Sequence, residues 1–523
     1  MIMKRIFSRG TIAALILFGW TARTVAQETQ KEAPAEAKAS DAKAASAAPE
    51  PKEESSVTDH TIRIGGQSIP YKATASTTLI KNDKGEPTAL IYSTAYTKSD
   101  VKDASQRPIA FLYNGGPGSA SIWLHIGAFG PRSVVTDNAA PTPPAPYKMV
   151  DNENSLIDKT DLVFIDPVGT GFSHAVGKAQ DKDFWGVDED VKSLAQFISI
   201  YVSRNNRWNS PKFLIGESYG TFRSVALGEY LESNENMSVN GIVLISSVLN
   251  LGTISFTPGE DQPYIFYLPT YAAVAWYYKL LKDRPDDLSA FLDQARQFAA
   301  TDYAAALMKG SKLTAAEKSD MAKKLAQFTG LSEDYLIKAD LRVGLAQFRA
   351  EIQRSRGLTI GRYDARYEGP MYDLLTERAE YDPSFSAVAG AFTAAFNSYV
   401  RSDLKFGGDK NYKVLPDGPG DAWDWKHGGR AGFPGAPSVE GDLIHAMTED
   451  SHLQVQVENG YFDMATPFFA TEYTMDHLLL PDSGRSRIHL QYYDAGHMMY
   501  LHEEDLAKLK TNVGSFIDSA WKP

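Results

Sequence analysis

A serine lies in a tight, glycine-flanked segment at residues 216–220, with the sequence Gly-Glu-Ser-Tyr-Gly. An apolar run at residues 213–215 precedes it, and a helix-like run at residues 221–231 follows it. This pattern between a strand and a helix is typical of a nucleophile elbow, a turn that exposes a serine hydroxyl at the top of a sheet. A serine that only caps the helix is the alternative. Because the motif occurs once in the 523 residues and in the required context, the sequence favours Ser218 as a nucleophile.

A serine hydroxyl is a weak nucleophile without a base, and His497 is the favoured base among the ten histidines. It ends the run Asp-Ala-Gly-His after a predicted strand at residues 488–493, so we expect it on a loop at a strand end. Gly496 permits a close backbone approach there. A histidine taken at random is more often a surface or packed residue, but the chain order Ser, Asp, His of such sites also favours His497.

Asp463 is the predicted acid of this set. It follows a predicted strand at residues 453–457 and lies on the loop that leaves its end. Asp494 is nearer to His497 in sequence, but a residue three positions earlier on the same tight loop is poorly placed to reach the imidazole. We expect Asp494 to stabilise the turn. Asp463 would hold the imidazole in the productive tautomer and stabilise the imidazolium.

Acyl transfer also needs backbone N–H groups that stabilise the oxyanion. Tyr219 directly follows the nucleophile and would supply one of them. The other is expected from a glycine-rich loop after an early strand, and the run Asn-Gly-Gly-Pro-Gly at residues 114–118 follows the predicted strand at residues 109–112. A plain glycine turn is the alternative interpretation of this loop.

The elements that must position these residues alternate between strands and helices. Short apolar runs with helical stretches between several of them predict a mostly parallel α/β sheet. These runs are residues 109–112, 162–165, 213–215, 242–245, 453–457 and 488–492. Before them, residues 62–64, 71–75 and 89–97 resemble strands of an antiparallel meander, with a turn at residues 82–85.

Residues 252–385 form a helical, charged region between two strand-rich blocks, which predicts an insertion over one end of the sheet. Open α/β sheets bind ligands at the carboxyl ends of their strands, so such an insertion would shape a substrate pocket. The predicted organisation is a signal peptide (1–26), a disordered linker rich in Ala, Glu, Lys and Pro (27–57), a first core part (58–251), a helical cap insertion (252–385) and a second core part with the candidate Asp and His (386–523).

The composition restricts the compartment and the partners. The net charge of −12 argues against nucleic acid and anionic membrane surfaces as partners. A basic start, an apolar stretch at residues 11–20 and a small-x-small ending at residues 24–26 predict a signal peptide, with an uncleaved anchor as the alternative. The chain has zero cysteines, which excludes disulfides and thiol chemistry. We expect a protein exported to a bacterial periplasm or secreted, without a membrane span once the signal is cleaved.

Four separated motifs resemble the serine carboxypeptidases, peptidase family S10. They are the Asn-Gly-Gly-Pro-Gly loop at 114–118, the run Asp-Pro-Val-Gly-Thr-Gly-Phe-Ser at 166–173, the elbow at 216–220, and Asp463 with Gly-His-Met at 496–498. The similarity covers roughly residues 60–250 and 400–523. It implies an α/β-hydrolase fold, with a mostly parallel central sheet flanked by helices and a helical cap.

The resemblance implies a role for each matching residue. Ser218 would be the nucleophile, Asp463 the acid and His497 the base. Gly116 and Tyr219 would donate the oxyanion hydrogen bonds. Asn114 and Glu217 would hold the terminal carboxylate of a peptide substrate. A glutamate beside a bound carboxylate must be protonated, so we expect a raised pKa for Glu217 and an activity favoured at acidic pH.

Several positions depart from the family pattern. Leu112 replaces a tryptophan, Tyr500 replaces a proline, and residues 221–223 read Thr-Phe-Arg where small and aromatic residues are usual. An esterase or acyltransferase with the same triad therefore stays an alternative to a carboxypeptidase acting on free C-termini. A non-catalytic binding protein on a hydrolase scaffold is a further one. The sequence implies no metal or organic cofactor, and it predicts neither an oligomeric state nor a side-chain preference at the cleaved bond.

Overall fold

A ten-stranded mixed sheet forms the centre of the computed structural model, which describes residues 51–428 and 436–522. Its strands are β1 (Ser55–Ile64), β2 (Gln67–Lys81), β3 (Pro87–Lys98), β4 (Ile109–Tyr113), β5 (Asp161–Ile165), β6 (His174–Ala175), β7 (Lys212–Glu217), β8 (Gly241–Ile245), β9 (Gln454–Gly460) and β10 (Ile488–Tyr493). The order across the sheet is β1-β2-β3-β5-β4-β7-β8-β9-β10, and β6 pairs with β3.

The sheet has an antiparallel part and a parallel part, as the sequence predicts. Strands β1, β2, β3 and β5 pair antiparallel, whereas β5, β4, β7, β8, β9 and β10 pair parallel. The strand β1 begins earlier than expected. Residues 55–57, predicted as the end of the linker, belong to β1 because they pair with residues 74–76 of β2. The predicted signal peptide and the linker up to residue 50 lie outside the described residues.

Helices cover both faces of this sheet. They are α1 (Val187–Arg204), α2 (Tyr219–Glu235), α3 (Gln262–Tyr277), α4 (Leu288–Phe298), α5 (Ala304–Lys309), α6 (Ala315–Thr329), α7 (Glu333–Lys338), α8 (Leu345–Glu351), α9 (Pro383–Ser402), α10 (Pro419–Ala422), α11 (Glu440–Glu449), α12 (Phe468–Asp476), α13 (Asp482–Arg485) and α14 (Glu503–Ala520). No helix of the described residues is long and apolar enough to cross a membrane.

Alternate side chains of the central strands pack into two separate hydrophobic cores, because successive residues of a strand point to opposite faces of the sheet. Ile109 and Phe111 of β4 pack in one cluster with α1, α2 and α11. Ala110 and Leu112 of the same strand pack in the other cluster with α9 and α14. The sheet is therefore buried on both faces, as its continuous apolar runs predict.

The segment 252–385, here called the insert, contains α3 to α8 and has a hydrophobic cluster of its own. The insert is helical, as predicted, and its first helix, α3, begins at Gln262 and ends at Tyr277. Its cluster includes Phe462 and Met464, which lie on the loop after β9. The insert thus packs directly against the loop that carries Asp463. Its boundaries with the core stay a prediction.

Candidate active site

Ser218 lies in the turn between β7 and α2 with a strained backbone, at φ 60° and ψ −129°. A non-glycine residue rarely adopts a positive φ, and the surrounding structure must hold it there. The Ser218 amide donates to the carbonyl of Ile245 on the adjacent strand at 3.0 Å. A Cβ on Gly216 would lie 2.0 Å from the carbonyl oxygen of Gly220. The two glycines of the motif therefore allow the turn to close under the serine.

His497 and Asp463 form a buried pair beside this turn. His497 Nδ1 donates to Asp463 Oδ2 at 2.7 Å. The other carboxylate oxygen, Oδ1, accepts from the amides of Ala465 at 2.7 Å and Thr466 at 3.0 Å. A carboxylate only accepts hydrogen bonds, so this contact places the proton on Nδ1 and leaves Nε2 as the basic nitrogen. Burial lowers the pKa of His497, but the charge and the hydrogen bond of Asp463 together with the charge of Glu217 outweigh burial, so the net shift is upward.

Ser218 and His497 line one cavity of about 70 Å³. The Nε2 atom of His497 is buried and has no hydrogen-bond partner among the described residues, so the Ser218 hydroxyl and the imidazole are not hydrogen-bonded. Hydrogen bonds of this kind are often long without substrate and tighten in the substrate complex. The structure thus brings the three candidate residues to one place and leaves Nε2 available for the serine proton.

The glycine-rich loop at residues 114–118 packs directly on the elbow. A Cβ on Gly115 would lie 2.4 Å from the Tyr219 amide nitrogen and 2.7 Å from that of Gly220. Gly116 lines the cavity at φ 111°, a conformation that favours glycine. No described residue accepts a hydrogen bond from the amide of Gly116 or Tyr219. Both predicted oxyanion donors therefore have free N–H groups beside the serine.

Glu217 and Asn114 come together as the sequence predicts. Asn114 Nδ2 donates to Glu217 Oε1 at 3.0 Å, and both side chains line the cavity. Burial raises the pKa of Glu217 to about 7, although the charge of His497 and the interactions with the Tyr500 hydroxyl and the Asn114 amide oppose the rise. Glu217 Oε2 and the hydroxyl of Tyr500 are buried and lie near each other, but neither has a partner at hydrogen-bond geometry among the described residues. A neutral Glu217 could therefore donate a hydrogen bond to an incoming carboxylate.

Two comparisons of sequence identify the family. The family model described as serine carboxypeptidase matches residues 71–331. A stretch of 182 residues is 30% identical to the pheromone-processing carboxypeptidase KEX1 of Saccharomyces cerevisiae and covers 33% of this chain and 24% of that protein. The chain belongs to the serine carboxypeptidase family. The match spans about a quarter of the length of this curated relative.

The fold agrees with this family membership. The crystal structure of a prohormone-processing carboxypeptidase from S. cerevisiae, Kex1(delta)p, is similar with a TM-score of 0.54 and 16% sequence identity, over 85% of this chain and 91% of that one. The predicted α/β-hydrolase fold is thereby confirmed. The family match contains Ser218 but ends before Asp463 and His497, and these two residues are placed by their hydrogen bond and by the cavity that His497 shares with Ser218.

Arg223 supports this site, although the sequence marks it only as a departure from the family pattern. It is fully buried on α2, where its Nε donates to Asp190 Oδ2 at 2.6 Å. Its Nη1 donates to the backbone carbonyl of Asn114 at 2.6 Å. Arg223 therefore ties the glycine-rich loop to α2 and α1. A charge in an otherwise apolar helix face was the one signal of this role.

The insert contributes a second support that the sequence did not reveal. Residues 361–366 bridge the loops that carry Asp463 and His497. The His497 amide donates to the Tyr363 carbonyl at 2.6 Å, and the Met464 amide donates to the Arg362 carbonyl at 3.1 Å. The predicted close approach at Gly496 is confirmed, because a Cβ there would lie 2.4 Å from the Tyr363 carbonyl oxygen. The insert thus fixes the spacing of the acid and base loops.

The remaining walls of the cavity combine apolar side chains with one cation. The apolar members are Trp123, Tyr363, Phe385, Leu415 and Met498, and the cation is Arg362. Both Arg362 and Tyr363 belong to the insert, as the predicted role of the insert in shaping the pocket requires. In the part of the chain that the structure describes, no group of three or more His, Asp or Glu side chains could hold a metal ion.

Proposed function

We propose that the protein is a serine carboxypeptidase that hydrolyses C-terminal peptide bonds through an acyl-enzyme on Ser218. The observation that carries the proposal is the meeting of two pairs at one cavity. The His497–Asp463 pair would activate Ser218, and the Asn114–Glu217 pair would hold a terminal carboxylate. Family membership supports a peptide as the substrate class.

Acylation follows from the positions of the polar groups. His497 Nε2 takes the Ser218 proton while Oγ bonds to the carbonyl carbon of the scissile peptide. The carbonyl oxygen becomes an oxyanion, which accepts hydrogen bonds from the amides of Gly116 and Tyr219. His497 then gives its proton to the leaving nitrogen as the C–N bond breaks. The released product is the C-terminal amino acid.

Deacylation repeats these roles with water. His497 takes a proton from a water molecule while the water oxygen bonds to the acyl carbon, and the same two amides stabilise the second oxyanion. The ester bond breaks and His497 returns the proton to Ser218 Oγ. Asp463 stays ionised throughout and stabilises the imidazolium in both half-reactions.

The terminal carboxylate would be recognised by a protonated Glu217. Two ionised carboxylates cannot share a hydrogen bond, but a neutral Glu217 donates from the oxygen that has no partner. Because burial raises the Glu217 pKa to about 7, this form is present at neutral pH and dominates at acidic pH. We therefore expect the protein to bind free-acid peptides more tightly at acidic pH.

The test compares matched peptides that differ only at the C-terminus. An N-blocked dipeptide with a free acid should be cleaved with a kcat/KM at least about 100-fold above its C-terminal amide, because only the acid pairs with Glu217 and Asn114. The variant Ser218→Ala measures the background hydrolysis. Equal rates on the acid and the amide would contradict a carboxypeptidase.

An esterase or acyltransferase with the same triad is the second candidate. It is favoured by Leu112, which stands where the family usually has a tryptophan and is fully buried in the sheet, away from the cavity lining. This candidate predicts that a simple acyl ester is cleaved far better than either peptide. The same assay, extended by one ester of matching acyl group, separates the two activities.

We also propose export to a bacterial periplasm or the medium. The basic start with Lys4, Arg5 and Arg9, the apolar stretch that follows it and the absence of cysteine in the sequence support this proposal. N-terminal sequencing of the protein recovered from the periplasm should begin near residue 27. Recovery of the full-length chain in the cytoplasm would contradict it.

A further inference from the structure

Arg362 brings a positive charge that forms no direct ion pair with a described residue into the cavity of Ser218. It lies between the short strands Leu358–Ile360 and Glu368–Pro370 of the insert and lines the cavity together with His497. Its guanidinium packs near the ring of Tyr363, with 5.3 Å between Cζ and the ring centroid. None of the described carboxylates forms an ion pair with it.

The acidic residues around Arg362 are already engaged. Asp364 binds Arg366, with 2.6 Å between Oδ2 and Nη2. Asp382 caps α9 by accepting from the Ser384 amide at 3.0 Å, and it also accepts from the backbone amide of Arg362 at 3.0 Å. Asp463 is bound to His497. Among the described residues the guanidinium thus has no carboxylate of its own at ion-pair distance, although the more distant charges of Asp382 and Asp463 raise its pKa.

A cation held among apolar walls is costly unless a ligand neutralises it. Arginine binds carboxylates through two parallel N–H donors, and it keeps its charge at every pH of interest. The neighbouring walls include Trp123 and Phe385, which exclude water and strengthen such a pair. A ligand carboxylate fits this environment in both charge and geometry.

We propose that Arg362 binds a carboxylate of the substrate and makes the site selective for acidic residues next to the cleaved bond. The inference rests on the proposed function, in which Asn114 and Glu217 already take the terminal carboxylate. Arg362 is therefore left for the side chain of an aspartate or glutamate. A neutral side chain would leave the guanidinium unpaired, and such unpaired groups are the basis of strong discrimination.

The experiment measures protection of Ser218 from a fluorophosphonate label by N-blocked dipeptides. Four peptides end in Asp or Asn, each as the free acid and as the C-terminal amide, and 3-phenylpropionate serves as a carboxylate without a peptide bond. The wild type should bind the Asp peptides at least about tenfold more tightly than the Asn peptides, with either C-terminus. Arg362→Gln should remove this preference, and Arg362→Lys should keep part of it.

Arg356→Gln is the matched control. Arg356 also belongs to the insert, but it pairs with Glu368 and lies outside the cavity lining. This variant should keep the preference for Asp over Asn. Circular dichroism melting of all three variants checks that each one folds.

Each outcome decides between sources of the carboxylate. In one outcome, Arg362→Gln abolishes the preference for free-acid peptides over amides, while the wild type and all variants bind the Asp and Asn peptides equally well. Arg362 then binds the terminal carboxylate, and the proposed selectivity for acidic residues is wrong. If the preference for Asp is the same in Arg362→Gln and Arg356→Gln, or no carboxylate protects the wild type, Arg362 is not a carboxylate site. If 3-phenylpropionate protects in an Arg362-dependent way but no peptide is cleaved, the carboxypeptidase activity fails while the carboxylate site stands.

Discussion

The two sides of the cavity are built in different ways. On the core side, Ser218 directly follows the parallel strand β7 and the glycine-rich loop directly follows the parallel strand β4, so their positions follow from the sheet. On the insert side, Arg362 and Tyr363 lie in an irregular segment held by backbone hydrogen bonds to the acid and base loops. The sheet therefore positions the nucleophile and the oxyanion donors, whereas the insert fixes the spacing of the acid and base loops and lines part of the pocket.

The strongest loss of activity is predicted for a substitution on the core side of the cavity. Asp463→Asn should lower kcat by about 10⁴-fold, because an amide NH₂ facing Nδ1 favours the wrong imidazole tautomer. The measurement is steady-state hydrolysis of the free-acid dipeptide. Asp494→Asn is the matched control, since Asp494 is the exposed rival carboxylate on the base loop. A similar loss in both variants would mean that the pairing of His497 with Asp463 is not what matters.

A second core prediction concerns the buried support of the glycine-rich loop. Arg223→Met should lower the free energy of unfolding by about 3 to 5 kcal/mol, because it leaves Asp190 buried without its partner. Urea denaturation measures this loss. The double variant with Asp190→Asn should recover part of it and still show reduced kcat, since the Asn114 carbonyl lacks its donor in both proteins. A single variant as stable as the wild type would remove the support role.

Disturbing the contact between the insert and the loop that carries His497 should cause a smaller loss of stability and activity. Gly496→Ala should cost about 1 to 3 kcal/mol of stability and reduce kcat, because the added Cβ collides with the backbone at Tyr363 and shifts His497. Gly441→Ala is the control, since a Cβ there meets nothing within 4 Å and alanine favours the helix α11. If Gly496→Ala is as stable and active as Gly441→Ala, the insert does not position the base.

The smallest effect is a change of pH dependence on the core side. The folded-state pKa of Glu217 is raised to about 7, so the protonated form is complete at acidic pH and is lost as the pH rises through this value. The KM for free-acid peptides should therefore rise about fivefold between pH 7 and pH 8 in the wild type. Glu217→Gln cannot ionise and should give a flat KM profile.

The control for this KM profile is the C-terminal amide, which has no terminal carboxylate for Glu217 to bind. Its KM should not rise in the same range. The kcat should also depend on pH, because it falls at acidic pH as His497 becomes protonated. Since Asp463 helps to raise the pKa of His497, this fall should be centred above the ordinary histidine pKa. The same KM profile in wild type and Glu217→Gln would contradict the role of Glu217.

The core side could be predicted because local patterns fix it. The glycines around Ser218 and the strand-end loops before Asp463 and His497 have short-range signals, and the structure places all of them at the expected strand ends. The pairing of Glu217 with Asn114 came from the family resemblance and is also present. The preference of Asp463 over Asp494 followed from loop geometry, and His497 indeed binds Asp463.

The insert side could not be predicted because its contacts are made through backbone atoms. Gly496 indicates a close backbone approach at the base loop, but no residue type identifies Tyr363 as the neighbour whose carbonyl accepts from the His497 amide. Arg362 lies in an irregular connection, where no periodicity indicates which way a side chain faces. Arg223 was visible as an unusual charge in α2, but its two partners lie on distant segments of the chain.

The most direct test of the shared site is covalent labelling with a fluorophosphonate, mapped by mass spectrometry. The adduct should lie on Ser218, and His497→Gln should slow its formation by at least about 100-fold, because the imidazole is the base that activates the hydroxyl. An adduct on another serine, or an unchanged labelling rate in His497→Gln, would contradict the convergence of these residues on one reacting centre.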